Sequence, residues 1–154
     1  MIGWLVGILE GEGWFMLVKR QYRKDSNLYF RPKVGVVNTN PILIERLHTV
    51  LLFLGIPHFI RSKQMHNPKW SDQKVIYIDG LKRVKKLLDV VYNHLTSKKD
   101  VATLIKQFID HRLSIGDYIP YTNIEHDIYN HVIELNNRIR KDNPQRLHAE
   151  PNFG

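Results

Sequence analysis

The stretch Leu5–Gly13, with the sequence LVGILEGEG, decides the fold of this chain. Together with Gly3 it places a glycine at every fourth position, and residues four apart lie on one face of an α-helix. Each glycine costs a helix about 1 kcal/mol relative to alanine, so three in register need a compensating contact. Close approach of a second helix supplies such a contact. The segment therefore predicts a short helix whose glycine face packs against another helix, with a strand or a loop as the alternative.

Two carboxylates, Glu10 and Glu12, lie where this predicted helix ends. The carboxyl end of a helix carries partial negative charge, so an acid is unfavourable there. A divalent cation removes the conflict, because carboxylate and backbone carbonyl oxygens are ligands that Mg²⁺ accepts. The alternative is a solvated acidic turn without a metal.

The rest of the sequence predicts two hairpins and four more helices. The strands are predicted at residues 14–23, 28–37, 57–63 and 74–79. The first of the further helices begins at Pro41 after an Asn40 cap and is stopped by Gly55 and Pro57. The others are predicted over 81–95, after a Ser97 cap, and over 124–139 after an Asn123 cap. The order αββαββα followed by two helices gives an α+β class with an antiparallel sheet. Residues 1–142 are expected to form one domain, and residues 143–154 a flexible tail.

The charge of the chain favours an anionic partner. Its 154 residues contain 23 Lys and Arg against 15 Asp and Glu, a net charge of +8. Many of the cations crowd residues 19–33, and in the second predicted strand Arg31, Lys33, Gly35 and Val37 alternate with apolar residues, so that one face is basic. A basic patch on a strand indicates binding to phosphates.

Several classes of protein are excluded or disfavoured. The absence of cysteine excludes disulfide scaffolds, cysteine-ligated metal sites and thiol catalysis. The apolar run 1–9 lacks a basic flank and is too short to span a bilayer, so we expect no signal peptide, no membrane helix and an intracellular location.

The stretch Leu5–Gly13 resembles the nine-residue signature of the LAGLIDADG homing endonucleases. Leu5, Gly7 and Gly13 are identical to it, and the positions between them carry conservative or common variants. The resemblance covers the chain to about Leu113, because that family follows its signature helix with the same αββαββα order and basic hairpins. It implies a site-specific enzyme that hydrolyses both strands of a long double-stranded DNA target with a divalent metal.

The resemblance also implies which residues hold the metal. Glu12, at the second acidic position of the signature, would be the ligand that activates water at the scissile phosphate, and Gly11 would contribute its carbonyl oxygen. The implied ion is Mg²⁺, with Mn²⁺ or Ca²⁺ as alternative occupants. Glu10 matches a structural group at the helix end.

Two further positions match catalytic residues of the family. Asn38, at the end of the second strand, would position the water network, with Asn40 as the alternative. Lys98 would lie near the scissile phosphate, although its position also suits an ordinary residue in the first turn of a helix.

Only one copy of the signature is present, whereas the family uses two copies in one chain or one in each of two chains. The implied protein is therefore a two-fold symmetric homodimer acting on a pseudo-palindromic target. Its subunits would meet at Gly3, Gly7 and Gly11. The candidate DNA-binding residues are the cations of the two hairpins: Lys19, Arg20, Arg31, Lys33, Arg61, Lys63 and Lys74.

Other functions remain open at this stage. The same fold could serve a non-cleaving DNA-binding regulator or an RNA-splicing maturase. Asp72 and Lys74 have the spacing of a restriction-type active site, but no second acid stands at a strand end before them. The eight histidines contain no metal-binding pair of the HxH or HxxxH type. Aromatic residues between 14 and 30 are typical of single-strand stacking platforms, but hairpin core packing explains most of them.

Overall fold

Helices and strands follow the predicted order along the chain. The computed structural model describes residues 1–21, 27–64, 66–67, 69, 72–116 and 119–142. The elements are α1 (Ile2–Glu12), β1 (Gly13–Arg20), β2 (Tyr29–Asn38), α2 (Pro41–Phe53), β3 (Phe59–Lys63), β4 (Gln73–Asp79), α3 (Leu81–Val91), α4 (Lys99–Ile115) and α5 (Asn123–Asp142). The α+β class and the αββαββα order are confirmed, while the predicted tail 143–154 lies outside the described residues.

The strands form an antiparallel sheet in the order β1-β2-β4-β3. The register places Phe15 opposite Val34 and Val34 opposite Ile78. These residues belong to the main core together with Leu5 and Leu9 of α1. The helices therefore cover one face of the sheet, and we call the opposite face the outer sheet face.

α2 begins and ends where the sequence predicts. The Asn40 side-chain oxygen accepts a hydrogen bond from the Ile42 N–H at 3.0 Å, and Pro41 occupies the first turn. At the other end, Gly55 adopts φ +70°, a left-handed conformation that favours glycine and stops the helix. The predicted Asn40 cap is confirmed.

The predicted length of α3 and the predicted Ser97 and Asn123 caps are wrong. α3 ends at Val91, and a single 3₁₀ turn, Tyr92–His94, replaces the predicted continuation to residue 95. Ser97 does not cap α4, whose N-cap residue is Lys98 without a side-chain cap. The Ser97 hydroxyl instead donates a hydrogen bond to the Glu10 carboxylate. The Ser97 side chain therefore binds α1 and does not cap α4.

The start of α5 is fixed by Thr122 and Glu125 rather than by the predicted Asn123, which is the first residue of the helix. The Thr122 N–H and hydroxyl donate to Glu125 Oε2 at 2.7 and 2.9 Å, and the Ile124 N–H donates back to the Thr122 hydroxyl at 3.4 Å. This is a capping box, and its Thr-x-x-Glu spacing is visible in the sequence.

Glu125 also joins α5 to α4. It is fully buried, and its Oε1 lies 2.9 Å from Arg112 Nη1 and 3.1 Å from His111 Nε2. Arg112 in turn lies 4.2 Å from the ring centre of Tyr121, whose hydroxyl donates to the Phe30 carbonyl of β2. The buried ion pair therefore links both C-terminal helices to the sheet.

No helix among these residues combines the length and the apolar character needed to cross a membrane.

Glu125→Gln is expected to destabilise the protein in a pH-dependent way. Burial raises the pKa of Glu125, but hydrogen bonds from Thr122 and Arg112 outweigh it and lower the pKa from 4.5 to about 2. Because the folded pKa is depressed, this carboxylate contributes stability above pH 4.5 and loses it as the pH falls towards 2. Breaking the pair also leaves Arg112 buried without its partner, which costs about 3–5 kcal/mol at neutral pH.

Urea denaturation at pH 7, 4.5 and 3 measures this effect. The gap in unfolding free energy between the native chain and Glu125→Gln should narrow as the pH falls. Glu134→Gln, at an exposed position of the same helix, is the control. A gap that stays constant over this pH range would contradict the assignment.

Candidate active site and nucleic-acid interface

The end of α1 passes directly into β1 at Gly13. The Gly13 N–H donates to the carbonyls of Ile8 and Leu9, and a Cβ at this position would lie 2.7 Å from the Leu9 carbonyl oxygen. Only glycine allows so close an approach of the strand to the helix end. Glu12 is therefore held, exposed to solvent, at the junction of helix and sheet.

Lys98 lies behind this junction and is almost fully buried, with 3% of its surface exposed. Its Nζ donates to the Leu9 carbonyl at 2.8 Å and to the Gly13 carbonyl. An ammonium group at the carboxyl end of a helix satisfies free carbonyls and opposes the partial negative charge there. The predicted catalytic lysine thus holds the backbone on both sides of Glu12, and its role at a phosphate stays a prediction.

Glu10 makes the reciprocal contact with α4. Its Oε1 accepts from the Thr96 N–H at 2.6 Å, and its Oε2 accepts from the Lys98 N–H at 3.3 Å and from the Ser97 hydroxyl. Burial raises the pKa of Glu10, but these hydrogen bonds outweigh it and lower the pKa below its ordinary value. The carboxylate caps the amino end of α4, which agrees with a structural role for Glu10.

The three glycines of α1 lie on an open face of the helix. Gly3, Gly7 and Gly11 are exposed, and apart from the helix's own backbone no heavy atom of the described residues would lie within 4 Å of a Cβ built at any of them. Leu5 and Leu9, on the other side of the helix, are buried in the core. Within one subunit, α1 therefore packs through its leucines, and the predicted contact face is left uncovered.

Asn38 ends β2 close to this region. Gly13 is paired with Val36, so Asn38 lies two residues, about 7 Å, further along the neighbouring strand. Its side-chain oxygen accepts a hydrogen bond from the Asn40 N–H at 2.7 Å, while the Asn40 side chain caps α2. Both side-chain oxygens therefore accept a backbone hydrogen bond within the fold, and the role of either residue in positioning water stays a prediction.

The register divides the seven candidate DNA-binding cations between two sets. Residues directly opposite one another in an antiparallel pair lie on the same face of the sheet. Met16 is opposite Lys33, Val18 opposite Arg31 and Arg61 opposite Val75. The alternation therefore puts five cations on the outer sheet face: Arg20, Arg31, Lys33, Arg61 and Lys63. Lys19 and Lys74 occupy the other parity, at the ends of β1 and β4.

The middle of the outer sheet face is apolar. Trp14, Val37 and Val75 form a second cluster, against which Met16 and Tyr77 pack. The Trp14 ring lies on Gly35, where a Cβ would be 2.2 Å from ring atom Cζ2. β1 is apolar on both parities because it packs against two clusters, which explains why its sequence does not show which side faces outward.

Lys33 is drawn into this cluster. Only 5% of its surface is exposed, and its Nζ lies 4.4 Å from the ring centre of Tyr77. Burial lowers the pKa of Lys33, and the nearby Asp79 carboxylate opposes that change. Of the five cations, Lys33 is the most buried.

The donors at the end of α1 fit a hard cation, because the exposed Glu12 carboxylate and the Gly11 carbonyl both offer oxygen. Within the described ranges, no three His, Asp or Glu side chains come together as a ready-made metal cage.

Lys98→Met is expected to weaken the link between α1 and α4. The variant keeps most of the apolar stem but removes the hydrogen bonds from Nζ to the Gly13 and Leu9 carbonyls, of which the Leu9 carbonyl keeps the Gly13 N–H as a donor. Loss of a donor to a buried acceptor costs about 1–3 kcal/mol. Urea denaturation followed by circular dichroism should show a fall of that size. Lys82→Met, at an exposed position of α3, should stay within about 0.5 kcal/mol. Equal losses in the two variants would contradict the assigned contacts.

Comparison with known proteins identifies the fold. No protein-family model and no curated protein matches the sequence. The archaeal intron-encoded homing endonuclease I-Vdi141I, solved with DNA, superposes with a TM-score of 0.67 and 18% identity, covering 87% of this chain and 82% of that one. The homing endonuclease I-CvuI, solved with its target in the presence of Ca, gives 0.66 and 16% over 87% and 80%.

A longer neighbour matches through part of its length. The LAGLIDADG homing endonuclease I-GzeII, in complex with its DNA target, has a TM-score of 0.62 and 18% identity. The match covers 98% of this chain but 50% of that one. The chain therefore has the fold of the LAGLIDADG homing endonucleases, as the signature at Leu5–Gly13 predicts.

Proposed function

We propose that the protein is a site-specific, divalent-metal-dependent DNA endonuclease of the homing type, which hydrolyses both strands of a long pseudo-palindromic target as a homodimer. The observation that carries the proposal is the exposed Glu12 carboxylate, fixed at the end of α1 between the open glycine face and the sheet. An acid at a helix carboxyl end is unfavourable, and Lys98 opposes the negative charge of this end only from the buried side. A metal cation on the solvent side would stabilise the exposed carboxylate directly.

Glu12 and the Gly11 carbonyl would hold the ion, with Mg²⁺ as the expected occupant and Mn²⁺ or Ca²⁺ as alternatives. When bound, such a cation lowers the pKa of water and neutralises charge at the phosphate. Structures of I-CvuI with DNA were obtained with Ca and with Mg, which supports divalent metal use.

The other two candidate residues act around that ligand. Asn38 would orient the attacking water through its side-chain amide. Lys98 holds the backbone on both sides of Glu12, so that the carboxylate stays in position. The water oxygen would form the new bond to phosphorus and give up one proton to solvent. The bond from phosphorus to the 3′-oxygen would break, and that oxygen would take up a proton from solvent. No covalent enzyme nucleophile is needed.

The dimer is proposed because each chain carries one candidate metal-binding carboxylate, Glu12. One Glu12 serves one strand, so cleavage of a duplex requires two copies related by a two-fold axis. Gly3, Gly7 and Gly11 leave room for a second backbone beside α1 and would place the two Glu12 side chains together. The I-GzeII match supports this arrangement, because the chain corresponds to half of that protein.

The outer sheet face would bind the major groove of each half-site. Five cations lie on it, and Lys19 and Lys74 at the strand ends would contact the flanking phosphates. Contacts to phosphates release counterions, so binding should weaken steeply as salt is added.

Glu12→Gln tests the catalytic proposal. The variant removes the charge that would hold the ion but keeps the shape of the side chain. In plasmid and target-library cleavage assays, we expect Mg²⁺-dependent cutting by the native chain, none in EDTA, and a loss of at least about 100-fold in the variant, since metal activation of water is lost. DNA binding should persist. Glu45→Gln, an exposed acid on α2, is the control.

The outcomes separate the candidate functions. Tight DNA binding by the native chain without cutting would indicate a non-cleaving regulator instead of a nuclease. Preference for structured RNA over duplex DNA would indicate a maturase. Equal cutting by native chain and Glu12→Gln would contradict the assigned ligand.

Gly7→Leu tests the dimer. A leucine side chain at the centre of the glycine face would keep two α1 helices apart, so light scattering should show a shift from dimer to monomer and cleavage should be lost. The fold of each subunit should survive, because nothing within 4 Å opposes a Cβ at Gly7. Gln107→Leu, an exposed position on α4, should remain dimeric. A stable Gly7→Leu dimer would rule out this interface.

A further inference from the structure

An ion pair on the outer sheet face holds one arginine in a defined position. Arg31 Nε donates to Asp79 Oδ1 at 2.6 Å, across from β2 to the last residue of β4. The side chains keep 39% and 19% of their surfaces exposed, so the arginine remains accessible and the aspartate less so. Arg31 therefore presents an oriented guanidinium to solvent, rather than a mobile one.

The backbone around the pair makes room for it. Gly80 follows Asp79 with φ +103°, and a Cβ there would lie 3.4 Å from Arg31 Nη2. The guanidinium thus rests on the turn that leads into α3. The Asp79 carboxylate binds the guanidinium at Nε, and the Gly80 backbone lies beside its Nη2 atom.

The bond to Asp79 uses the Nε–H and leaves the terminal Nη groups as the ligand-binding end. Two parallel N–H groups in a planar fork match the O6 and N7 acceptors that guanine displays in the major groove. Immobilising a flexible side chain before binding lowers the entropy lost on binding. A lysine at this position could bind phosphate but could not make the paired contact.

Asp79 is better suited to orient Arg31 than to touch DNA. A carboxylate on a phosphate-binding face is repelled by DNA unless cations surround it. Arg31 pairs with it directly, and Lys33 lies opposite it in the sheet register. The acid is therefore explained as a support for the arginine, and its negative charge is balanced locally.

We propose that Arg31, oriented by Asp79, reads one guanine in each half-site of the DNA target, with Asp79 as a positioning residue. The inference rests on the proposed function and adds one specific base contact to it. By two-fold symmetry, the guanine would recur at equivalent distances on both sides of the target centre.

A binding selection on a randomised duplex library tests this inference. EDTA prevents cleavage, and sequencing of the bound fraction gives the base preference at every position. The native chain should prefer guanine at one position of each half-site. Arg31→Lys keeps the charge but loses the fork, so its preference there should fall by about 10- to 100-fold, with little change elsewhere. Asp79→Asn should weaken the guanine preference at the same position, while the salt dependence of DNA binding stays unchanged.

Arg61→Lys is the matched control, because Arg61 is an exposed arginine on the same sheet face, opposite Val75 of β4. Arg61→Lys should leave the guanine preference at the target position assigned to Arg31 unchanged. Thermal unfolding of each variant shows whether it is folded, and the Arg31 and Asp79 variants give two independent tests of the pair.

The possible failures are distinguishable. A guanine preference retained by Arg31→Lys would overturn the inference and leave the nuclease proposal standing. A uniform loss of affinity with a weaker salt dependence would make Arg31 a phosphate contact, which also overturns it. An unchanged preference in Asp79→Asn would remove the positioning role. If the native chain selected no sequence at all, the proposed site-specific function would fail together with the inference.

Discussion

The reciprocal capping of α1 and α4 is the contact on which the candidate site depends. Lys98 enters the carboxyl end of α1 and binds the carbonyls of Leu9 and Gly13, while Glu10 returns from α1 to the amino end of α4. Each charge lies at the helix terminus whose partial charge it opposes. Because the two interactions cross, neither helix can shift without breaking both. The exposed Glu12 is thereby fixed by residues that lie almost ninety positions away in the sequence.

The sheet serves two packing surfaces at once. Its inner face packs against the helices, and its outer face carries the small cluster around Trp14 together with the cations. Trp14 and Tyr77 pack at the centre of the outer sheet face, and the cations lie around them. Arg31 and Lys33 are consequently held by neighbouring groups, and the proposed DNA surface is organised before any ligand arrives.

Local signals in the sequence were sufficient for the element order, for the Asn40 cap of α2 and for the stop at Gly55. They were insufficient wherever a residue is used by a distant element. Ser97 has every property of a cap, yet its hydroxyl serves Glu10 across the fold. Asp79 gave no sign of its contact with Arg31, because that contact depends on the register between β2 and β4. The orientation of β1 was hidden by the apolar clusters on both of its faces. The Thr122–Glu125 capping box has a local sequence pattern, Thr-x-x-Glu, although the cap of this helix was predicted at Asn123.

The glycine face of α1 is the part of the structure that a single subunit does not explain. Each glycine costs the helix about 1 kcal/mol relative to alanine, and within the described chain nothing lies close enough to Gly3, Gly7 or Gly11 to require the missing side chain. Gly13 and Gly35 differ, since the Leu9 carbonyl and the Trp14 ring occupy the space that a Cβ would need. Two kinds of glycine are therefore present, one demanded by the subunit itself and one left without an internal reason. The second helix of the proposed dimer would supply the reason. It would also bring together two copies of Glu12, so the same three positions that weaken the isolated helix complete the proposed site.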